Sequence, residues 1–520
     1  MLTSAVSTLH FFILATALLL PVSSCTTPVD KKSPNFILIM TDDQRADLSA
    51  FMPTVQRELV EKGVSFTEAF TTNSLCCPAR TSVLRGQHVH NHQVLSNGGP
   101  QGGFPKFYET GFEASTIATW LQDAGYRTAL MGKYLNAYPY GPVSEDPPDY
   151  RAPRRTYVPP GWSEWFGFLD VPKDARNSPY AMYRYRVNHN SHIRRFGSES
   201  NDYQTDVLSR QATDFIRQQQ RSRSPFFLFL APTAPHVPTV AAPRHQGTLA
   251  ALRAPRSPAF NESDVTDKPL WLRRLPPLSD SDVVRIDKVY REQAEMLLAV
   301  DEMVGAILKT LQATGDLENT YLIFTTDHGL HMGEHRLGTT KRTPYAASAQ
   351  LPLIIRGPDV PEGETLEQLA LNIDVAPTLA ALAGITPPDF VDGRSLAPLW
   401  SGTPAAWRQT SLMEFWPRSV LDTYDVNPAN NLVVIPQYRS VRSKDYLYTE
   451  YRYEDGAFEG ELYDLARDPL ELENIYSRAD PDLLRALAEH AEQLQACAGS
   501  RCRELEETPP LVLRMGNGSQ

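Results

Sequence analysis

The chain has 520 residues, of which 42% are hydrophobic and 21% charged, and its formal net charge is −11. This composition can bury a sizeable core and excludes a disordered or fibrous protein. The acidic balance argues against bulk nucleic-acid binding, while a local basic pocket for an anion is still compatible with it. The length predicts one large domain and a smaller one.

Residues 1–25 are predicted to be an export signal. Phe11–Pro21 is an apolar core too short to span a bilayer comfortably, and small residues follow it. The stretch Val22–Cys25 resembles a bacterial lipoprotein processing box, in which Cys25 would carry the lipid; alternatively, Cys25 is lost with the cleaved signal. The first ten residues contain no Lys or Arg, which is unusual for a signal. We expect an exported protein, periplasmic, cell-surface or secreted, that meets a membrane only through such a lipid.

Short apolar runs bounded by polar residues predict strands buried on both faces, as in a parallel sheet. These runs are Asn35–Met40, Thr128–Met131, Phe226–Leu230, Tyr321–Phe324 and Leu353–Ile355. Helical patterns lie at Ala114–Ala124, Tyr203–Gln218, Arg291–Thr314 and Asp374–Ala383. The alternation predicts an α/β fold with a large mixed, mostly parallel sheet flanked by helices. The Pro-rich segments 139–160 and 231–286 are predicted to be long surface loops.

The chain after residue 410 has a different pattern. Arg439–Ser443, Tyr446–Tyr451 and Glu461–Leu465 predict short antiparallel strands, and Asp480–Ala496 predicts an amphipathic helix with Asp480 as its N-cap. We therefore expect a main domain over 33–405 and a C-terminal antiparallel-sheet plus helix subdomain over 410–515. Cys497 and Cys502 enclose a four-residue loop and are predicted to form a disulfide, which suits an exported protein; the alternative is two free thiols.

Acidic residues follow two of the predicted strands. Asp42 and Asp43 come directly after the first strand, and Asp327 and His328 follow the strand at Tyr321–Phe324. In an open parallel sheet, ligands bind beyond the carboxyl ends of strands. Three carboxylates placed there would repel one another unless a cation held them, and oxygen-rich ligation favours Ca²⁺ or Mg²⁺. The alternative is that each Asp only caps the turn that follows it.

The segment Cys76-Cys77-Pro78-Ala79-Arg80 carries the most specific pattern in the chain. It resembles the signature of the sulfatase family, Cys-x-Pro-x-Arg followed by a short helical run to a Gly. The resemblance covers residues 34–480 and implies an alkaline-phosphatase-like fold with the catalytic domain at 33–405. It also implies that a formylglycine-generating enzyme converts Cys76 to formylglycine, an aldehyde whose hydrate is the nucleophile. Cys77 then occupies the variable position.

Further segments match the family in order: Gly132-Lys133, Ala234-Pro235-His236, and Lys341 fourteen residues after Asp327. The resemblance implies catalytic roles for Cys76, Arg80, Lys133, His236 and Lys341. It implies that Ca²⁺, or Mg²⁺, is held by Asp42, Asp43, Cys76, Asp327 and His328. Taken singly, Lys133, His236 and Lys341 could each be an ordinary surface or loop residue.

Two residues depart from the family's pattern. His328 stands where many members have Asn, and an imidazole suits Ca²⁺ less well than oxygen, so His328 would ligate weakly or contact the sulfate instead. Leu135 stands where many members have His, so that role would pass to Asn136 or be absent. For His90 and His92 we expect structural roles or positions at the rim of the substrate site.

The segments GKYLN, APH-x-P and RGP, with CCPAR, are most similar to the N-acetylglucosamine-6-sulfatase and arylsulfatase-type members. The resemblance implies hydrolysis of sulfate from a sulfated carbohydrate, such as N-acetylglucosamine 6-sulfate units of a glycosaminoglycan, or from an aryl sulfate. Two alternatives stay open. One is a metal-dependent phosphatase or phosphonate hydrolase of the same superfamily, which commonly keeps Ser or Thr as nucleophile. The other is a catalytically silent glycan-binding lipoprotein with an unmodified Cys76.

Overall fold

The structure, a computed structural model of the chain, describes Met1 and residues 33–139, 156–170, 178–222, 224–402, 406–417 and 433–508. The predicted export signal, with Cys25, lies outside the described residues. Strands within them are β1 (Asn35–Thr41), β2 (Val64–Phe66), β3 (Ala69–Phe70), β4 (Arg127–Gly132), β5 (Glu164–Phe168), β6 (Arg186–His189), β7 (His192–Arg195), β8 (Phe226–Ala231), β9 (Thr320–Thr326), β10 (Leu353–Arg356), β11 (Glu364–Leu366), β12 (Ala370–Leu371), β13 (Thr410–Phe415), β14 (Gln437–Ser443), β15 (Tyr446–Arg452) and β16 (Phe458–Asp464).

The α-helices of the same residues range from one turn to ten. They are α1 (Pro53–Val55), α2 (Cys76–Arg85), α3 (Val89–His92), α4 (Gly103–Glu109), α5 (Ile117–Asp123), α6 (Gln204–Ser222), α7 (Leu270–Arg273), α8 (Asp280–Thr314), α9 (Ala346–Ala349), α10 (Val375–Leu382), α11 (Ala397–Trp400), α12 (Pro481–Gln495) and α13 (Ser500–Glu507). None of the described helices is long and apolar enough to cross a membrane.

The main sheet has ten strands in the order β11-β2-β10-β9-β1-β8-β4-β5-β6-β7. Its central five, β9, β1, β8, β4 and β5, run parallel to their neighbours within the group, which confirms the mixed, mostly parallel sheet. Their carboxyl ends therefore share one edge of the sheet. β10 was expected to be of the same kind, but it pairs antiparallel with both β9 and β2. An apolar run indicates burial on both faces and carries no information about strand direction.

The continuous apolar runs are explained by two helical layers. Along β1, Ile37 and Ile39 pack into one core cluster together with α6 and α8, and Phe36 and Leu38 pack into a second cluster on the opposite face. The second face is covered by α2, α5 and α10. Successive side chains of a strand point to opposite faces, so a strand between two layers must be apolar at every position.

Helix α8 corrects the predicted loop over 231–286. It begins at Asp280, capped by Ser279, eleven residues before the predicted start at Arg291, and α7 also lies inside the expected loop. The first turn of α8 is polar except at Val283, and Val284 is 69% exposed, so the run of buried apolar side chains begins only at Ile286. The cap and the first-turn acids Asp280 and Asp282 set the start instead.

A smaller antiparallel sheet follows in the C-terminal part, with the order β13-β14-β15-β16. This confirms the predicted subdomain; β13 and α13 were not foreseen. Helix α12, capped by Asp480, packs Leu487 and Leu494 against this sheet. Cys497 and Cys502 are joined in a disulfide with a Cα–Cα distance of 5.0 Å. The division into domains at 33–405 and 410–515 stays a prediction.

Candidate active site

The residues singled out from the sequence lie together at the carboxyl edge of the main sheet. Each comes from the end of a parallel strand, from the start of α2 or from the loop after β9. Asp42 and Asp43 follow β1, Lys133 follows β4, His236 follows β8, Asp327 and His328 follow β9, Lys341 lies in the loop after β9, and Cys76 and Arg80 lie on α2. All nine are buried; His236, at 8% exposure, is the most accessible.

Helix α2 places its two functional side chains one above the other. Cys76 is its first residue, and Arg80 is four residues on, so both lie on one face one turn apart. Pro78 is tolerated because the first turn of a helix needs no backbone N–H donors. Gly86 ends the helix with φ 66°, a left-handed conformation that glycine adopts without cost. The spacing of the signature is therefore a helical repeat.

Each buried carboxylate has its own cationic partner. Lys133 Nζ lies 2.6 Å from Asp42 Oδ2, Lys341 Nζ lies 3.0 Å from Asp43 Oδ1, and Arg80 Nε donates to Asp327 Oδ2 at 2.9 Å. Three negative and three positive side chains thus occupy one buried volume. Such a set needs pairing, because an isolated buried ion would be strongly destabilising.

The thiol of Cys76 lies at the centre of these groups. Its Sγ is 3.3 Å from His328 Nε2 and 3.3 Å from Lys341 Nζ. It is also 3.7 Å from Asp42 Oδ1 and 4.0 Å from Asp43 Oδ1. Any atom attached at this position therefore meets two acidic groups, a lysine and an imidazole at once.

Burial and charge shift the acidity of these groups in opposite directions. Burial raises the pKa of the Cys76 thiol well above its usual value, and the nearby Lys133 and Lys341 offset this only in part. Burial alone would raise the pKa of Asp327, but Arg80 and His328 bring it well below the usual value. For Asp43 the charges of His236 and Lys341 likewise overcome burial and lower the pKa. At neutral pH the acids are ionised and the thiol keeps its proton.

The donor set fits a hard divalent cation. Ligand atoms of Asp42, Asp43, Cys76 and His236 lie within 4.8 Å of one another, as do those of Cys76, Asp327 and His328. Oxygen ligands across a calcium ion are up to about 5 Å apart, so both groups have suitable spacing. His328 Nδ1 donates to the Gly329 carbonyl at 2.9 Å, so Nε2 is the ring atom that faces Cys76.

Backbone geometry fixes the two acidic turns to each other. Asp43 has φ 60°, a conformation that few non-glycine residues adopt, and its N–H donates to Asp327 Oδ1 at 3.1 Å. The same oxygen accepts the His328 N–H at 3.0 Å. Strain at one turn and a carboxylate shared between two turns are features that cluster at functional sites.

The orientation of His236 involves a residue that the sequence did not indicate. His236 Nδ1 donates to the Val237 carbonyl, so Nε2 points inward, 3.5 Å from Asp43 Oδ2. The ring of Tyr180 lies against the His236 ring at 4.4 Å between centroids and 5.2 Å from Lys133 Nζ. Tyr180 sits in a one-turn helix after Ser178-Pro179, and no motif marks it.

The remaining sequence candidates lie elsewhere. Leu135 is buried among apolar side chains, and Asn136 reaches the Tyr180 hydroxyl at 3.5 Å. His92 contacts Ser82 at 2.9 Å, and His90 contacts Glu414 at 2.6 Å, so both have structural contacts away from Cys76. A grouping of His90 with Cys497 and Cys502 is closed to metal because the two sulfurs form the disulfide.

The chain is similar in sequence and in fold to proteins that are already known. A family model described as Sulfatase matches residues 34–385, and one described as N-sulphoglucosamine sulphohydrolase, C-terminal, matches 333–497. N-acetylglucosamine-6-sulfatase of Homo sapiens is 32% identical over 498 residues, covering 91% of this chain and 86% of its own. A solved structure in complex with its substrate D-glucosamine-2-N,6-O-disulfate has a TM-score of 0.70 at 23% identity, covering 89% of this chain and 98% of that one.

A second solved structure shares the fold. Phosphonate monoester hydrolase of Agrobacterium radiobacter has a TM-score of 0.65 at 24% identity, covering 93% of this chain and 96% of that chain. At these identities both structures establish the architecture alone.

Proposed function

The chain belongs to the sulfatase family and is a sulfuric ester hydrolase, and from that premise we propose that it removes sulfate from a sulfated sugar by means of a formylglycine at position 76 and a bound divalent cation. The observation that carries the proposal is the position of Cys76 Sγ, 3.3 Å from both His328 and Lys341 and within 4.0 Å of Asp42 and Asp43. The maturation partner is a formylglycine-generating enzyme.

Asp42, Asp43, Asp327 and His328 would hold the cation, with Ca²⁺ favoured over Mg²⁺ because a crowded carboxylate set suits a larger, more flexible coordination shell. The ion would polarise the sulfate oxygens and the group at position 76. Lys133, beside Asp42, and Lys341, beside Asp43, supply positive charge for the remaining sulfate oxygens. Arg80, held by Asp327 and by the Lys133 carbonyl at 3.3 Å, offsets charge that develops on residue 76.

Residue 76 supplies two oxygens once it is a hydrated aldehyde. One hydroxyl gives up its proton to water and forms a bond to sulfur while the bond from sulfur to the sugar oxygen breaks; that oxygen takes a proton from His236, and the sugar leaves as an alcohol. The second hydroxyl then loses its proton, the carbon–oxygen bond to the sulfate breaks, and the aldehyde and hydrogen sulfate are formed. Water restores the hydrate. A serine at this position could make the first bond but has no second hydroxyl for release.

His236 is the proposed proton donor to the departing sugar oxygen. Its Nδ1 proton is committed to the Val237 carbonyl, so Nε2 is the atom available for transfer. It is the most exposed of the nine site residues, which suits a group that contacts the departing sugar. Tyr180 holds the ring in this orientation by packing against it.

The names of the relatives support one substrate class. N-acetylglucosamine-6-sulfatase is the name of the human relative, and the solved neighbour holds a sulfated glucosamine. We propose a sulfated amino sugar, with N-acetylglucosamine 6-sulfate as the first test compound, and an extracytoplasmic location consistent with the Cys497–Cys502 disulfide. The lipid on Cys25 remains part of this proposal.

Kinetics on matched variants test the function. Wild-type protein should hydrolyse N-acetylglucosamine 6-sulfate and an aryl sulfate, and Cys76→Ser should stay folded without multiple turnovers. The control is Cys77→Ala, since Cys77 is buried among apolar side chains and burial raises the pKa of its thiol to about 12. Multiple turnovers by Cys76→Ser would contradict the mechanism. Faster hydrolysis of an aryl phosphate or phosphonate than of the sulfates would favour the alternative hydrolase.

A further inference from the structure

A basic hairpin forms one edge of the main sheet in a chain that is acidic overall. Residues 178–198 contain four arginines and no Asp or Glu, although the net charge of the chain is −11. These arginines are Arg184, Arg186, Arg194 and Arg195. None of them forms an ion pair with a carboxylate of the described residues.

The hairpin consists of β6 and β7, joined by the tight turn Asn190-Ser191 with both residues at positive φ. Arg186 lies directly opposite Arg195 in this antiparallel pair. Like charges facing each other across two strands are destabilising, and the Nε atom of Arg186 is buried with no hydrogen-bond partner. An anion bound between the two guanidiniums would remove both costs.

Sheet register places this pair on the active-site edge. Gly132, Gly167, Asn188 and Ile193 are aligned across β4 to β7. Neighbouring strands lie about 4.8 Å apart, so the three steps from β4 to β7 place Ile193 about 14 Å from Gly132. Arg186, whose carbonyl accepts the Leu169 N–H at 3.0 Å, lies beyond this row in the direction of Lys133. At the opposite end of the hairpin, His189 contacts Glu164 at 2.9 Å, so a carboxylate already lies beside that end.

The pair also faces the side of the sheet that carries Cys76. Val187 packs in the core cluster with α6 and α8, so its neighbours Arg186 and Asn188 point to the other face. Asn188 Nδ2 donates to the Tyr138 hydroxyl at 3.0 Å, and Tyr138 packs in the cluster that covers α2. Arg195 shares this face because directly paired residues point the same way. Arg194, opposite Val187, lies on the reverse face.

The chain itself links the pair to the proton donor. Tyr180 touches the His236 ring, and Arg186 is six residues further on, so the Cα atoms of Tyr180 and Arg186 are at most about 22 Å apart. An extended anionic molecule with one end at Cys76 would pass Tyr180 and reach the arginines. A single sugar is too short to do so.

We propose that Arg186 and Arg195 bind a second anionic group, a sulfate or carboxylate, on a sugar further along an oligosaccharide whose terminal sulfate lies at Cys76. This inference rests on the proposed function and narrows its substrate class to polyanionic glycan chains over monosulfated sugars. Guanidiniums suit the role because they bind sulfate oxygens in a planar, bidentate manner. The pair acts on substrate affinity and takes no part in bond cleavage.

The test compares two substrates in three proteins. The two substrates are N-acetylglucosamine 6-sulfate and a heparin-derived tetrasaccharide. The three proteins are wild type, the double variant Arg186→Gln/Arg195→Gln and the single variant Arg194→Gln. The double variant should raise KM for the tetrasaccharide about fivefold or more with kcat unchanged, and leave KM for the monosaccharide within twofold. Arg194→Gln should leave both unchanged. In wild type, added salt should raise KM for the tetrasaccharide more than for the monosaccharide.

A binding measurement, which does not depend on catalysis, distinguishes failure of this proposal from failure of the proposed function. Immobilised heparin octasaccharide should retain wild type and the Arg194 variant and release the double variant at lower salt, whether or not the protein hydrolyses either substrate. Equal retention of all three proteins, or an equal rise in KM for both substrates, would overturn the proposal. Binding of the pair to anionic lipid vesicles with unchanged octasaccharide retention would also overturn it, and would indicate a membrane surface instead.

Discussion

Two buried charged clusters in this protein differ in how their groups are paired. At the junction between the main sheet and the C-terminal part, Arg408 contacts Asp374 at 2.5 and 2.9 Å and Glu506 at 2.8 Å, and Arg394 contacts Glu506 at 2.8 Å. At the carboxyl edge of the sheet, the groups around Cys76 stand 3.3–4.0 Å from its sulfur.

The comparison shows that buried charge alone does not identify an active site. In the junction cluster, burial would raise the pKa of Glu506, but Arg408 and His88 lower it to about 2, so its charge is fully compensated by protein groups. Around Cys76, two consecutive acids and a third from another strand face one point, and the Nε2 atom of His328 faces it as well. The junction cluster surrounds no reactive atom, whereas the ion pairs of the active site surround Cys76, where an added cation and an anionic substrate can replace the partners that the acids and lysines give one another.

The largest expected effect comes from neutralising one acid at the site. Asp43→Asn should lower kcat/KM about 10³-fold or more because it removes a proposed metal ligand and the partner of Lys341. Asn tolerates the positive φ of this turn, but the change leaves Lys341 buried without its carboxylate partner, so the free energy of unfolding should fall by about 2–4 kcal/mol. Steady-state kinetics with denaturant titration check both; activity within tenfold of wild type would contradict the site assignment.

A substitution in the junction cluster should lower stability and leave catalysis unchanged. Arg408→Met should lower the free energy of unfolding by about 3–5 kcal/mol because it leaves Asp374 and Glu506 buried without their main partner. The folded fraction should keep its kcat. Arg467→Met is the matched control, since Arg467 is 89% exposed and 3.7 Å from Asp464, and it should cost less than about 1 kcal/mol. A loss of kcat in folded Arg408→Met would show that the two clusters are coupled.

The pH dependence of stability should also originate at the junction. Burial would lower the pKa of His90, but Glu414 at 2.6 Å and the Cys497 carbonyl raise it from 6.5 to about 9. Its contribution, about 2–3 kcal/mol, is therefore complete below pH 6.5 and lost as the pH rises through 9. Denaturant titrations at pH 6, 7.5 and 9 should show this decline in wild type and a flatter profile in His90→Gln. The same slope in both proteins would rule out His90 as its source.

The smallest expected effect concerns the contact between Tyr180 and His236 in the active site. Tyr180→Ala removes the ring that packs on His236 and should lower kcat about tenfold with little change in KM, whereas Tyr180→Phe keeps the ring and most of the activity. The kcat of both variants with a good and a poor leaving group measures this. A poor leaving group depends more on protonation, so Tyr180→Ala should affect it more. Equal losses for both substrates would mean that Tyr180 does not act through His236.

The sequence was most informative where chemistry and local structure coincide. Acids that directly follow apolar strands predicted both the sheet and the edge where the candidate site lies, whereas Cys76 and Arg80 were indicated by their resemblance to a family signature. Tyr180 was missed because its role depends on a contact with a residue 56 positions away and on no pattern of its own. The β6–β7 hairpin was missed for a related reason: an exposed, arginine-rich edge has no apolar periodicity. The Arg408–Glu506 pair joins residues 98 positions apart, and spacing alone cannot predict such a pairing.

The most direct test is peptide mass spectrometry of the tryptic fragment Gly63–Arg80, taken from a preparation that hydrolyses a sulfate ester. The mechanism predicts an aldehyde at position 76 and an alkylatable thiol at Cys77. Two intact thiols in a preparation with full turnover would contradict it, because neither thiol could then provide the second hydroxyl on which sulfate release depends.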